Sequence, residues 1–332
     1  MGHPYHPASE RWQPRRRRLS AAAALIVAGF YLGSAQGWWG LSAAGAVPAE
    51  IRDHAVKTMA RGLAVVSAER IRRGVAIDRQ ADPAGSGLIG VEYSSITTAL
   101  GSLQSKRTSV DPAWAGVVAD LLWQAGVRSH TLVAAGMSGS FPGLNLAVSA
   151  AVDAIGADLV AVASLGASSW GANQPQWTWA EIETVLFAEG VIRTRAAAFT
   201  PGGDDDVGGG LPAGGREVLL DAIRRSGIPR LDAGGLPAAI AARMRVYDEA
   251  AARLNRRIVA YVNVGGSAAS LGRCPGVLNV HPGLVWPPAM PPCGMTVRDV
   301  EGVMQRMAHR GVPVIHLLNL RELALRFGIA IR

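Results

Sequence analysis

The sequence predicts an α/β protein: a predominantly parallel sheet with helices on both faces, preceded by one N-terminal transmembrane helix and a helical neck. Three observations carry this. From residue 88 onward, apolar runs alternate with helix-patterned stretches in the order strand, helix, strand, turn, helix, strand, the rhythm of a parallel sheet. The strand candidates are continuous apolar runs rather than alternating ones, as strands buried on both faces are. Near the N-terminus, a charge-free run of about 20 residues follows a block of arginines.

Residues 1–18 read as a basic cytoplasmic arm carrying Arg11, Arg15, Arg16, Arg17 and Arg18, since arginines hold their flank of a membrane segment in the cytoplasm. Residues 19–40 (LSAAAALIVAGFYLGSAQGWWG) suit an anchor through a hydrocarbon core of ~30 Å. Trp38 and Trp39 fall at the far interface, where indole rings settle. The expected location is the inner membrane, single-pass, with the large domain extracytoplasmic. The alternative is a cleaved signal peptide with Ala44-Gly45-Ala46 as its small-residue site. Against it, the apolar run exceeds the usual core of ~7–15 residues.

Residues 41–87 are expected to form a helical neck and linker. Ile51, Ala55, Met59, Leu63 and Val66 recur at helical spacing after Pro48. Such a helix would join the anchor to the body or pack against a neighbouring subunit. The α/β domain is expected over 88–332. It opens with a strand at Leu88–Tyr93 and a Ser/Thr-rich stretch, SSITTALGSLQSKRTS. Asp111 as N-cap and Pro112 at the first helical position then start a helix that Gly126 closes.

A strand at Thr131–Met137 leads through a Gly/Ser turn into a helix over 144–155, stopped by Gly156, and a strand at Leu159–Leu165. Further helices are expected over 177–196, 216–226, 235–255 and 296–310, with an acidic glycine-rich loop at 201–215. Strands at Arg257–Asn263 and Pro313–Leu318 and a short amphipathic helix at Arg321–Phe327 complete the pattern.

The net charge of +8 overstates the basicity of the folded part, because the arm holds five Arg against one Glu. With no zinc-finger spacing and no dense basic stripe, nucleic acid is excluded as a partner. A mild positive balance favours an anionic ligand or polymer. Cys274 and Cys293 are the only cysteines. In an oxidising compartment they would form one disulfide closing a Pro/Gly-rich loop.

The sharpest chemical candidate is Gly136-Met137-Ser138-Gly139-Ser140, between an apolar strand and a helix. Ser138 could be a nucleophile on a strand-to-helix elbow, although the hydrolase pattern has Gly where Ser140 stands. Ser138 and Ser140 could instead cradle a carboxylate or phosphate, or the turn could simply connect its neighbours. A nucleophile needs a base; His281, His316 and Lys106 are the candidates, and chain order does not choose among them.

Other polar turns follow apolar strands and would converge on one edge of a parallel sheet, where open α/β sheets bind ligands. They supply Glu92, Ser94 and Ser95; Ser168, Ser169 and Asn173; and Asn263 with Ser267. Lys106 and Arg107, with Thr108 and Ser109, could hold an anion on several donors, or form a solvated loop. Asp204, Asp205 and Asp206 could bind a divalent cation, which wants oxygen ligands, or form a flexible acidic loop. The glycines lack the dinucleotide fingerprint, so no organic cofactor is expected.

Several long segments carry a resemblance: GVEYSSITTALGSLQSKRTSVDP, AAGMSGSFPGLNLA, SLGASSWGANQP and YVNVGGSAASLG, behind a short basic arm and anchor. In these the chain resembles the poly-gamma-glutamate system protein family. The resemblance implies an envelope location and association with an anionic glutamate polymer, with synthase or export subunits as partners. It implies no catalytic residue. Three functions are therefore expected in competition. The first is a membrane-anchored accessory protein for poly-gamma-glutamate biosynthesis or export that binds an anionic ligand in a strand-end cleft. The second is a serine-type hydrolase or transferase acting on an amide bond of the polymer or of cell-wall peptide. The third is a structural assembly factor working through the neck and anchor.

Overall fold

The computed structural model describes residues 45–294 and 296–332. The basic arm and the anchor expected over 1–40 lie outside the described residues. Among the described residues, no helix is long and apolar enough to cross a membrane.

The elements run α1 (Ala49–Arg72), α2 (Leu103–Ser109), α3 (Ala113–Gln124), β1 (Leu132–Ser138), α4 (Pro142–Ile155), β2 (Asp158–Ser164), α5 (Trp179–Ala188), β3 (Ala198–Thr200) and α6 (Gly215–Ser226). They continue with α7 (Leu236–Leu254), β4 (Ile258–Val264), α8 (Ala268–Leu271), β5 (Gly283–Val285), α9 (Val303–His309), β6 (Val314–Leu317) and α10 (Leu320–Phe327). The six strands form one sheet in the order β3-β2-β1-β4-β6-β5. Every pairing is parallel except that of the edge strand β5 with β6.

Alternation along β1 shows how both faces are covered. Val133, Ala135 and Met137 join the core made with α1, α3, α4 and α5. Leu132 and Ala134 turn the other way, against Ile240, Met244 and Tyr247 of α7 and Met304 and Met307 of α9. Successive strand side chains point to opposite faces, so a strand with helices on both sides must be apolar at every position, and β1 is buried throughout.

The structure corrects several expectations. Of the neck and linker expected over 41–87, the described residues 45–87 are no separate neck: α1 lies on the body, with Ala55, Met59 and Val66 buried in the first core. Gly62 lets it approach α4, since a Cβ there would sit 2.9 Å from a Leu146 methyl. Residues 88–93 form no strand. Their backbone is claimed elsewhere: Arg70 of α1 donates to the carbonyls of Gly87 (2.9 Å) and Ile89 (2.8 Å). Gly90 N–H bonds the Trp170 carbonyl, and Val91 pairs with the Asn173 amide.

The short strands β3 and β5 have too few residues to form a pattern in the sequence. The helix expected over 177–196 begins in a Thr178–Glu181 capping box and ends at Ala188, ahead of Gly190 with φ of 61°. The stretch after it returns so that Ala196 N–H bonds Glu183.

The chain moves from β1 outward to β2 and β3, then crosses back to β4 on the other side of β1. The strand order therefore reverses between β1 and β4, and beyond the carboxyl ends of those parallel strands a crevice is forced open.

Candidate functional site

A pocket of about 380 Å³ occupies that crevice. Its floor comes from the ends of β1 (Ser138, Ser140), β2 (Ser164, Gly166, Ser168), β4 (Gly266, Ser267) and β6 (Leu318). The 201–206 turn adds Gly202, Gly203, Asp204 and Asp206, and residues 98–106 form the roof. The turn after β1 can be this tight because of Gly139, where a Cβ would lie 2.4 Å from the Leu165 carbonyl oxygen.

Lys106, on α2, is the unusual group. Its side chain is only 2% exposed. Its Nζ donates to the Ser140 carbonyl and lies 2.8 Å from Ser168 Oγ. The amine also sits 3.8 Å from the centroid of the Phe141 ring, a favourable place for a cation. Among the described residues Lys106 makes no ion pair. Burial without a carboxylate disfavours the ammonium form and pushes its pKa down to about 7.

Below the pocket lies a second buried cation with the opposite surroundings. Arg243 of α7 donates to Asp206 Oδ2 (2.8 Å), Ser164 Oγ (2.8 Å), Thr200 Oγ1 (3.1 Å) and the Val162 carbonyl (3.1 Å). Asp206 Oδ1 accepts from Ser164 Oγ and Thr200 Oγ1 as well. Burial works against the Arg243 charge, but the Asp206 carboxylate, joined by Tyr247 and Tyr261, more than offsets it and its pKa is raised. This network ties the acidic loop to the ends of β2 and β3.

The pocket brings together Lys106, Ser138, Ser140, Ser168, Ser267, Asp204 and Asp206 of the residues singled out in the sequence. The others lie elsewhere. Glu92 is exposed on the segment that is not a strand. Ser94 donates to the Asn173 carbonyl and accepts from Ile96 N–H. Asn173 is fully buried and clamps Val91 and Thr97. Ser169 reaches the Ala99 carbonyl. Ser95 packs its carbonyl against Gly215, where a Cβ would meet it at 1.9 Å.

Arg107 binds the carbonyls of Gln80 and Ala81. It cannot share a ligand with Lys106, because adjacent helical residues point in different directions. The three aspartates also part company: Asp205 pairs with Arg273, Asp206 with Arg243, and Asp204 stays exposed at the rim. Among the described residues, no group of three or more His, Cys, Asp or Glu side chains is gathered to hold a metal ion.

Among the described residues Ser138 gains no base. Its Oγ accepts the Ser140 N–H at 3.1 Å, while Asn145 bonds its backbone carbonyl. His281 is exposed in a different hollow with Trp286. His316 is buried, and its Nδ1 lies 2.9 Å from Asn263 Nδ2. That Asn nitrogen also donates to the Gly265 carbonyl at 2.7 Å, which fixes it as the donor and His316 Nδ1 as the acceptor. Burial lowers the His316 pKa to about 4, so the ring stays neutral. Asn263 is thus a support for His316 rather than a pocket residue. Cys274 and Cys293 form the expected disulfide.

Sequence reasoning missed Ser164, Thr200 and Arg243. A signal for Arg243 was present: it takes a position of the apolar stripe formed by Leu236, Ile240 and Tyr247, where a charge requires a buried partner.

The fold and the crevice define a doubly wound α/β protein with a polar pocket at its topological switch point. Comparison with family models, curated proteins and solved structures finds no match.

Proposed function

We propose that the chain is a membrane-anchored accessory protein of poly-gamma-glutamate biosynthesis or export, and that its strand-end pocket binds a carboxylate-bearing ligand of the glutamate class. The observation that carries this reading is Lys106: a buried amine on the pocket wall, held by a carbonyl and a hydroxyl and, among the described residues, paired with no carboxylate. An anion placed against Nζ supplies the counter-charge that the fold withholds. The segments behind the family resemblance support it too, since they contribute Lys106, Ser138, Ser140, Ser168 and Ser267 to one pocket. A disulfide is the chemistry of an oxidising compartment, in keeping with an extracytoplasmic domain.

Isothermal titration of the full chain with short glutamate oligomers tests the reading. Binding should take up a proton on Lys106, so affinity should fall as pH rises above about 7. Lys106→Met should abolish it and Arg107→Ala should leave it intact. Binding that survives Lys106→Met would overturn the reading. A reporter fused after Arg332 tests the topology, and activity confined to the cytoplasm would refute the anchor.

A further inference from the structure

The geometry points to Ser168 as a nucleophile with Lys106 as its base, which makes the pocket a site of acyl transfer on an amide or ester. This inference uses the pocket of the preceding reading but not its ligand. It also moves the nucleophile away from Ser138, whose hydroxyl is engaged with a turn amide.

Ser168 sits on the turn after β2, half-buried and on the pocket wall. Its Oγ is 2.8 Å from Lys106 Nζ, within reach for direct proton transfer. Both partners are fixed from behind. Ser140 Oγ accepts the backbone N–H of Ser168 at 3.0 Å, and the Ser140 carbonyl accepts from Lys106 Nζ. One residue therefore sets the position of nucleophile and base alike.

A neutral amine that gives one N–H to the Ser140 carbonyl keeps a lone pair for the Ser168 hydroxyl proton. Burial makes that neutral form available near pH 7, the condition under which a lysine can activate a serine without histidine. Two other charged groups line the pocket. Asp204 is exposed at the rim, and Asp206 is bound to Arg243. The roof passes directly over the pair and can do so because residue 101 is glycine. A Cβ there would lie 3.1 Å from Ser168 Oγ and 3.3 Å from Lys106 Cε.

The step balances without another reagent than water. Ser168 Oγ adds to the acyl carbon, the carbonyl π electrons move to oxygen, and the hydroxyl proton passes to Lys106 Nζ. The adduct collapses with cleavage of the bond to nitrogen, and the leaving amine takes that proton. Water then attacks the Ser168 ester and gives a proton to Lys106, which returns it to Ser168 Oγ as the acid departs.

A fluorophosphonate tests this on the full chain held in mild detergent. Ser168 Oγ bonds to phosphorus, fluoride leaves, and the hydroxyl proton exits through Lys106. The expected result is a single adduct that maps to Ser168, forming faster as pH rises through about 7. Ser168→Ala should abolish it, and His281→Ala should not change it. Lys106→Met should slow it at least ~100-fold, the typical scale of general-base assistance.

If Lys106→Met does not fold, Lys106→Arg is the second variant: it retains a cation that never deprotonates, and labelling should fail equally. No adduct on a cooperatively folded parent, an adduct on another serine, or undiminished labelling in either Lys106 variant would overturn the inference. Titration with glutamate oligomers separates the two proposals. Binding without labelling removes only the chemistry; labelling without binding removes only the ligand.

Discussion

Arg243 and Lys106 are cations buried at the same carboxyl edge of one sheet, one beneath the strand ends and one above them. Arg243 meets a carboxylate, two hydroxyls and a carbonyl. Lys106 meets a carbonyl, one hydroxyl and an aromatic face, with no carboxylate among the described residues. The same fold thus completes one charge and leaves the other short. A satisfied buried ion pair fixes a geometry, here the attachment of the 201–206 turn to β2 and β3. An unsatisfied buried amine is held in a state that a ligand or a proton transfer can change, which is why perturbed groups collect at functional sites.

Removing the completed charge should have the largest effect. Arg243→Met leaves the Asp206 carboxylate buried without its partner, which typically costs ~3–5 kcal/mol. Denaturant titration checks it, and a loss below ~1 kcal/mol would mean that water or another cation replaces the guanidinium. An intermediate effect is expected at Lys106, and its sign depends on pH. The folded pKa of about 7 lies below the ordinary 10.5. Between these values the unfolded chain binds more protons, so Lys106 makes stability rise with pH across that window and imposes its full cost below about 7.

Lys106→Met should therefore flatten the rise from pH 7 to 10 relative to the parent and should be neutral or stabilising at pH 6. Parallel pH profiles that never diverge would show that the amine is solvated in the folded state. The smallest effect is expected for Ser138→Ala, about 1 kcal/mol, because its hydroxyl accepts only a turn amide. A loss of several kcal/mol would place Ser138 in the buried network and weaken the contrast between the two charges.

The legibility of the sequence follows the same division. Long buried strands announce themselves, because a strand covered on both faces must be apolar at every position: β1, β2, β4 and β6 fall within a residue or two of their expected places. The convergence of their polar ends follows from parallel order alone. The failures are of a different kind. Leu88–Tyr93 is as apolar as a strand, yet Arg70 and Asn173 capture its backbone from far along the chain, and no local pattern reports that. Amphipathic periodicity identified α1 as a helix, but periodicity says that a face is buried and not which partner buries it. Lys106 and Arg107 look equivalent as neighbours in a basic pair until a helix sends one into the pocket and the other to the Ala81 carbonyl.

What the sequence determined by itself was the α/β class, the parallel strands and the turns at their ends; it offered the two cysteines as a disulfide only on condition of an oxidising compartment. Apolar run length, helical period and capping residues are local quantities, and they act within a few residues. What only the tertiary structure decided was which polar side chains meet: Lys106 with Ser168 across 62 positions of the chain, and Arg243 with Asp206 across 37. Those partnerships depend on the crossover between β1 and β4 and on the burial it produces. The chemistry of a lysine is set by how much water and counter-charge surround it, and neither is a property of its neighbours in sequence.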